Sequence, residues 1–115
     1  MAGIKDSGGE FANMKAMVER FRGFTVLAGA DPLMKPLLEA GGSGCITATS
    51  NLIARQLATV FRHHADPARK AEVDAAQDHI VRMRTLSVNG AQIPTVKAMI
   101  ARRYGDAAWA NVRPP

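Results

Sequence analysis

The sequence predicts an α/β chain with a helical second half. Three observations carry this expectation. Met1–Lys5, Phe24–Gly29 and Cys45–Thr49 read as short strands, each bounded by glycine-rich or turn-forming residues. Apolar residues with helical spacing separate them, first at Phe11, Met14, Met17, Val18 and Phe21, then at Leu33, Met34, Leu37 and Leu38. From Ser50 onward only helical spacing is found. Strands that alternate with helices in this way pair as parallel neighbours.

Ile4 is β-branched, as a buried strand prefers, and Gly8-Gly9 lets the chain turn sharply. Ser7 and Glu10 have the spacing of a capping box for the first helix. Lys5 thus stands where a strand hands over to a helix, the place where α/β folds put their chemistry. Strand alternation sets Gly3 and Lys5 on one face and Ile4 and Asp6 on the other, so that Ile4 is expected to pack against helices. Most lysines are solvated surface groups. A lysine at the inner end of a barrel strand, where the site is dry or holds another cation, is instead suited to attack a carbonyl.

Gly23 closes the first helix. In the second strand Phe24, Val26 and Ala28 share one face, and Thr25, Leu27 and Gly29 the other. Asp31-Pro32 reads as a helix start, aspartate as cap and proline at the first helical position. Pro36 should weaken this short helix. Gly41-Gly42-Ser43-Gly44 runs from helix into strand and lacks the Lys-Ser or Lys-Thr of a phosphate loop, so it reads as a helix end and turn. Ser50 or Asn51 can cap a helix carrying Ile53, Leu57, Val60, Phe61 and His64. Asp66-Pro67 starts another, with Val73, Ala76, Ile80 and Met83 inward and Asn89-Gly90 as its stop. Pro94 opens a last helix through Val96, Lys97, Ile100 and Tyr104, ended by Gly105. Trp109 reads as a packing residue.

Composition excludes several classes. Apolar residues make up 47% and charged residues 22%, which is not the profile of a disordered chain. No apolar run is long enough for a membrane span, and no signal peptide is visible. The single Cys45 forms no internal disulfide, which fits a reducing cytoplasm. The net charge of +5 is spread over the helices at positions such as Arg55, Arg62, Arg82 and Arg103, without interleaved aromatics for base stacking, so nucleic acid is not the expected partner. His63, His64 and His79 match no metal-ligand spacing.

Three ordered motifs carry a resemblance. The first is Gly3-Ile4-Lys5-Asp6-Ser7-Gly8-Gly9-Glu10. The second joins Leu27-Ala28-Gly29-Ala30-Asp31 to Ala40-Gly41-Gly42-Ser43-Gly44-Cys45-Ile46-Thr47-Ala48-Thr49-Ser50-Asn51. The third joins Ile93-Pro94-Thr95-Val96-Lys97-Ala98 to Val112-Arg113-Pro114-Pro115. Together they resemble the C-terminal part of the dihydrodipicolinate synthase and N-acetylneuraminate lyase family, TIM barrels that form a lysine Schiff base with pyruvate or a related 2-oxo acid. The resemblance begins inside the sixth barrel strand. It implies a fold that is the C-terminal part of a (β/α)8 barrel, with the last three strand–helix units over residues 1–51 and the eighth barrel helix plus a C-terminal helical extension over residues 52–115. A whole barrel needs about 250 residues, against 115 here.

The resemblance implies further expectations. Lys5 is the imine-forming residue, Gly29 leaves room for the substrate, Ile46 shapes the pocket, and position 48 contacts the substrate chain. These positions should converge at the C-terminal ends of three adjacent parallel strands. No cofactor or metal is required, the intact protein is a homo-oligomer such as a homotetramer, and the extra helices help build subunit contacts. The proton-shuttling tyrosine and the hydroxyl pair that holds the carboxylate come from earlier strands, so the chain alone is expected to be inactive. Departures bear on the substrate. Ala48 and Pro32 replace the serine and glutamate of the sialic acid lyases. Asp6-Ser7 replaces the glutamate and alanine usual in lysine-biosynthetic synthases, and Ala30-Asp31 replaces their two acids. The balance leans toward a sugar-acid or other 2-oxo-acid lyase. Glu10 stands where the family usually has aspartate, a change without expected consequence. The rival reading is a non-catalytic half-barrel that acts only by assembly with a partner chain, because the first strand would present an unpaired edge.

Overall fold

The computed structural model describes residues 2–113, so Met1 and the Pro114-Pro115 end of the third motif lie outside the described residues. Its sheet has three parallel strands in the order β1 (Gly3–Asp6), β2 (Thr25–Ala28), β3 (Gly44–Cys45). Lys5 pairs with Leu27 and Asp6 with Ala28; Leu27 pairs with Gly44 and Ala28 with Cys45. Helix α1 (Phe11–Arg20) joins β1 to β2, and a 3-10 turn (Asp31–Leu33) with α2 (Met34–Glu39) joins β2 to β3. Three helices follow: α3 (Ser50–His63), α4 (Lys70–Ser87) and α5 (Gln92–Tyr104). This is the expected α/β architecture with a helical second half.

Strand alternation decides which residues are buried. Val26 and Ala28, on the helix-facing side of β2, are fully buried against Met14 of α1 and Leu37 of α2. A second apolar cluster joins Met34 and Leu38 of α2 to Leu52, Ile53, Leu57 and Val60 of α3, Val73, Ala76 and Ile80 of α4, and Val96 and Ile100 of α5. The apolar core therefore runs without a break across position 51, and α3 itself begins at Ser50.

Several local expectations need correction. The capping box does not form: Glu10 precedes α1 without a side-chain bond, and the turn is instead held by the Gly8 N–H donating to Asp6 Oδ1 at 2.7 Å. The shorter aspartate, two residues back, reaches the turn amide first, an Asx arrangement that competes with helix capping. The first helix ends at Arg20, and Gly23 turns the chain into β2 with a positive φ of 78°. Ile4 is 39% exposed, since the helices that bury β2 do not reach over β1. The third strand is two residues long rather than five, its last bond to β2 being the Ile46 N–H to the Ala28 carbonyl. Ser50 and Asn51 do not cap α3; their side chains donate to the Thr47 and Ala48 carbonyls, Asn51 at 2.9 Å. Phe61 is 52% exposed, and His64 lies just past the end of α3. Helix α5 starts at Gln92, so Pro94 falls in its first turn, where its missing N–H costs no helical bond. Trp109 is exposed and stands beside Tyr104 at 6.4 Å. By contrast, Asp66 does cap its 3-10 turn, accepting from the Ala68 N–H at 2.9 Å.

Candidate active site at the ends of the three strands

Parallel pairing brings like ends of strands together, so residues late in each strand become neighbours. Lys5 is the penultimate residue of β1, Gly29 follows β2 directly and Ile46 follows β3 directly. The Gly29 N–H donates to the Asp6 carbonyl at 2.7 Å, and the Ile46 N–H donates to the Ala28 carbonyl at 2.9 Å. The three positions thus lie at the C-terminal ends of three adjacent strands, and alternation puts their side-chain positions on the sheet face opposite Val26 and Ala28.

On that face lies an open cleft of about 310 Å³ whose lining includes Gly3, Lys5, Thr25, Leu27 and Ile46. Lys5 is exposed, and no ion pair engages its ammonium among the described residues. Lys5 thus stands over an apolar floor of Leu27 and Ile46. Ile46 is 53% exposed. Gly29 does not line the cleft, and its lack of a side chain has a nearer cause. A Cβ there would stand 2.5 Å from Ser7 Oγ, 2.7 Å from the Asp6 carbonyl oxygen and 2.8 Å from Ser7 Cα. The ends of β1 and β2 approach too closely for any larger residue. Ala48 is exposed in the segment after β3 and takes no part in the cleft.

Sequence reasoning missed what holds the segment after β3 in place. Asp31 is not a helix cap but lies inside the 3-10 turn, fully buried. Its Oδ1 accepts from the Thr47 hydroxyl, and Arg84 Nη1 of α4 stands 3.9 Å from its Oδ2. Two residues on, the buried Thr49 hydroxyl meets Ser87 Oγ at 3.0 Å, and Ser87 donates to the Arg84 carbonyl at 2.9 Å. Ile46 and Ala48 therefore sit on a segment pinned by two threonines to the 3-10 turn after β2 and to α4. The alternation Thr47, Thr49 was the only sign in the sequence. Cys45 lies beneath, its thiol donating to Met34 Sδ at 3.4 Å. Burial, and then the nearby Asp31 carboxylate, push that thiol up to about 11, with the neighbouring Thr47 hydroxyl opposing. It is a packing group rather than a nucleophile. Among the described residues no three His, Cys, Asp or Glu side chains gather as metal ligands, and no helix is long and apolar enough to cross a membrane.

Comparison with known proteins supplies the wider frame. The sequence model of the dihydrodipicolinate synthetase family matches residues 1–115. An uncharacterized DapA-like lyase of Halobacterium salinarum is 29% identical over 107 residues, 93% of this chain and 35% of that protein. A 4-hydroxy-tetrahydrodipicolinate synthase of Gluconacetobacter diazotrophicus is 41% identical over 61 residues, 53% of this chain and 20% of that protein. The solved 4-hydroxy-tetrahydrodipicolinate synthase of Methylacidiphilum fumariolicum SolV superposes with a TM-score of 0.81 at 26% identity, covering 100% of this chain and 38% of that one. The chain spans about a third of the length of the curated relatives that it matches over most of its own length.

Proposed function

Because the chain belongs to the dihydrodipicolinate synthetase family, a family of TIM-barrel lyases, we propose that it carries the Schiff-base lysine of a lyase acting on pyruvate or another 2-oxo acid. The observation that carries this reading is Lys5 at the C-terminal end of β1, above the cleft it shares with Leu27 and Ile46. The neutral amine of Lys5 adds to the 2-oxo carbon, water leaves, and the protonated imine draws electrons from C3. A carbon–carbon bond then forms or breaks there, or a hydroxyl leaves as water. Gly29 lets β1 and β2 close to the spacing that sets Lys5 beside Ile46, and Ile46 supplies an apolar wall.

The cleft is open and Lys5 exposed, so water exclusion has to come from further barrel strands. On this reading the 115 residues alone are weak or inactive, and the working enzyme is a complete barrel, a homo-oligomer in the cytoplasm that needs no cofactor. Asp6-Ser7 after the lysine and Ala30-Asp31 after the second strand support a sugar-acid or related 2-oxo acid over the lysine-pathway substrate. The names of the relatives above give the non-catalytic half-barrel no comparable support.

The test is reductive trapping. With the chain completed to a full barrel, pyruvate and borohydride should leave an adduct on the peptide containing Ile4-Lys5-Asp6. Lys5→Arg should abolish it, because a guanidinium stays protonated. Lys15 and Lys35, both in helices, serve as internal controls. An adduct on another lysine would overturn the assignment.

A further inference from the structure

Among the described residues, five cationic side chains face acids. Lys15 pairs with Glu19, Arg69 with Glu72, and Lys35 and Lys70 with Asp74; Arg84 faces Asp31. One concavity gathers cations that do not. A cavity of about 560 Å³ between α3, α4 and α5 is lined by Arg55, His79 and Arg103, with Asn51, Gln56 and Tyr104 adding polar groups, and no acidic residue contributes to its wall. Each basic group comes from a different helix. None of the three makes an ion pair among the described residues.

The site is partly built in advance. Arg103 Nη1 donates to the Leu52 carbonyl at 2.6 Å, and its guanidinium carbon lies 5.8 Å from the Tyr104 ring centre. One donor thus anchors the head group, which leaves the rest of the fork for a ligand. Two guanidiniums on one concave surface with no acid beside them raise the local positive potential. Guanidinium forks match the paired oxygens of carboxylate and phosphate. The volume suits a small metabolite. We propose that this cavity is a binding site for a small oxyanion, a carboxylate or phosphate group, separate from the Lys5 cleft, with which it shares no lining residue.

The 115-residue chain is titrated calorimetrically at low ionic strength, in one arm with inorganic phosphate and in the other with succinate. Saturable binding of one stoichiometric ligand is expected, and the arm that shows it identifies the oxyanion. Arg55→Gln is the main variant, since Arg55 is exposed and makes no ion pair; loss of its charge-assisted bonds should weaken binding about tenfold or more. His79→Gln should also weaken it, and preserved far-UV circular dichroism confirms that both variants fold. Arg82→Gln removes the same charge from an exposed position of α4 outside the cavity and should change affinity less than about twofold. No saturable binding in either arm up to about 10 mM overturns the proposal. So does equal weakening by Arg55→Gln and Arg82→Gln, which reports general charge, or unchanged affinity in Arg55→Gln.

Discussion

Gly29→Ala tests the packing that brings the candidate site together. The new Cβ would lie 2.7 Å from the Asp6 carbonyl oxygen and 2.8 Å from Ser7 Cα, both backbone atoms, and 2.5 Å from Ser7 Oγ. Ser7 Oγ can rotate away; the backbone atoms have to separate by about 0.6–0.7 Å to reach ordinary contact at 3.4 Å. That separation stretches the bond from the Gly29 N–H to the Asp6 carbonyl, now 2.7 Å. Overpacking costs about 1–3 kcal/mol, and a weakened hydrogen bond between these half-buried residues adds about 1 kcal/mol. A loss of about 2–4 kcal/mol is therefore expected in urea unfolding followed by far-UV circular dichroism. Gly23→Ala is the reference. Gly23 has φ of 78° but nothing within 4 Å of a Cβ, so only the left-handed backbone penalty of about 1 kcal/mol applies. Ser7→Ala in the Gly29→Ala background should recover only part of the loss, because the two backbone contacts persist. If Gly29→Ala costs no more than Gly23→Ala, close approach of the strands is not the reason for the glycine, and room for substrate becomes the better account.

Three further outcomes follow from the same structure. Cys45, with its thiol pushed from an ordinary 9.0 to about 11 by burial, should react with Ellman's reagent at pH 8 about a hundredfold more slowly in the native chain than in urea; equal rates would place the thiol in water. Asp74 is held down to about 2 from 3.8, first by the hydrogen bond from Lys70 and then by that from Lys35, so this contribution to stability is present above about pH 3.8 and is lost as pH falls toward 2. Asp74→Asn should flatten the fall in unfolding midpoint between pH 5 and pH 2, and the effect should shrink in high salt; an unchanged slope would show that the two lysines do not act on Asp74. Asp66→Ala removes the acceptor of the Ala68 N–H and should cost about 1 kcal/mol by thermal or urea unfolding; no measurable loss would mean that solvent replaces the cap at no cost.

What was legible in the sequence was periodic. Alternation in β2 and helical spacing in α1, α3 and α4 put Val26, Met14, Ile53 and Ile80 in the interior, where they are fully buried. The strand–turn–helix punctuation around Lys5 placed that residue at the end of its strand. Such signals repeat along the chain, and each residue reports on its neighbours. Polar side chains near helix starts carry no comparable redundancy. Asp31-Pro32 and Asp66-Pro67 are alike in sequence, and Asp66 caps while Asp31 does not.

The difference between the two aspartates is tertiary. Asp66 lies in an exposed turn, where its nearest donor is a backbone N–H two residues on. Asp31 follows the end of β2 and is enclosed by the segment after β3 and by α4, where the Thr47 hydroxyl and the Arg84 guanidinium compete for it. A carboxylate without access to water needs strong partners: the Thr47 hydroxyl bonds Oδ1, while Oδ2 has no hydrogen bond and only the Arg84 charge facing it at 3.9 Å. The same competition accounts for the end of pairing with β2 after the Ile46 N–H bond to the Ala28 carbonyl. Thr47 and Thr49 turn their hydroxyls toward Asp31 and Ser87, and bonding to those side chains draws the backbone away from β2. Ile46, the last residue bonded to β2, is thereby left in the wall of the cleft that Lys5 also lines. The geometry at the candidate site thus depends on contacts from residues 31, 47, 49, 84 and 87, which no local pattern in the chain connects.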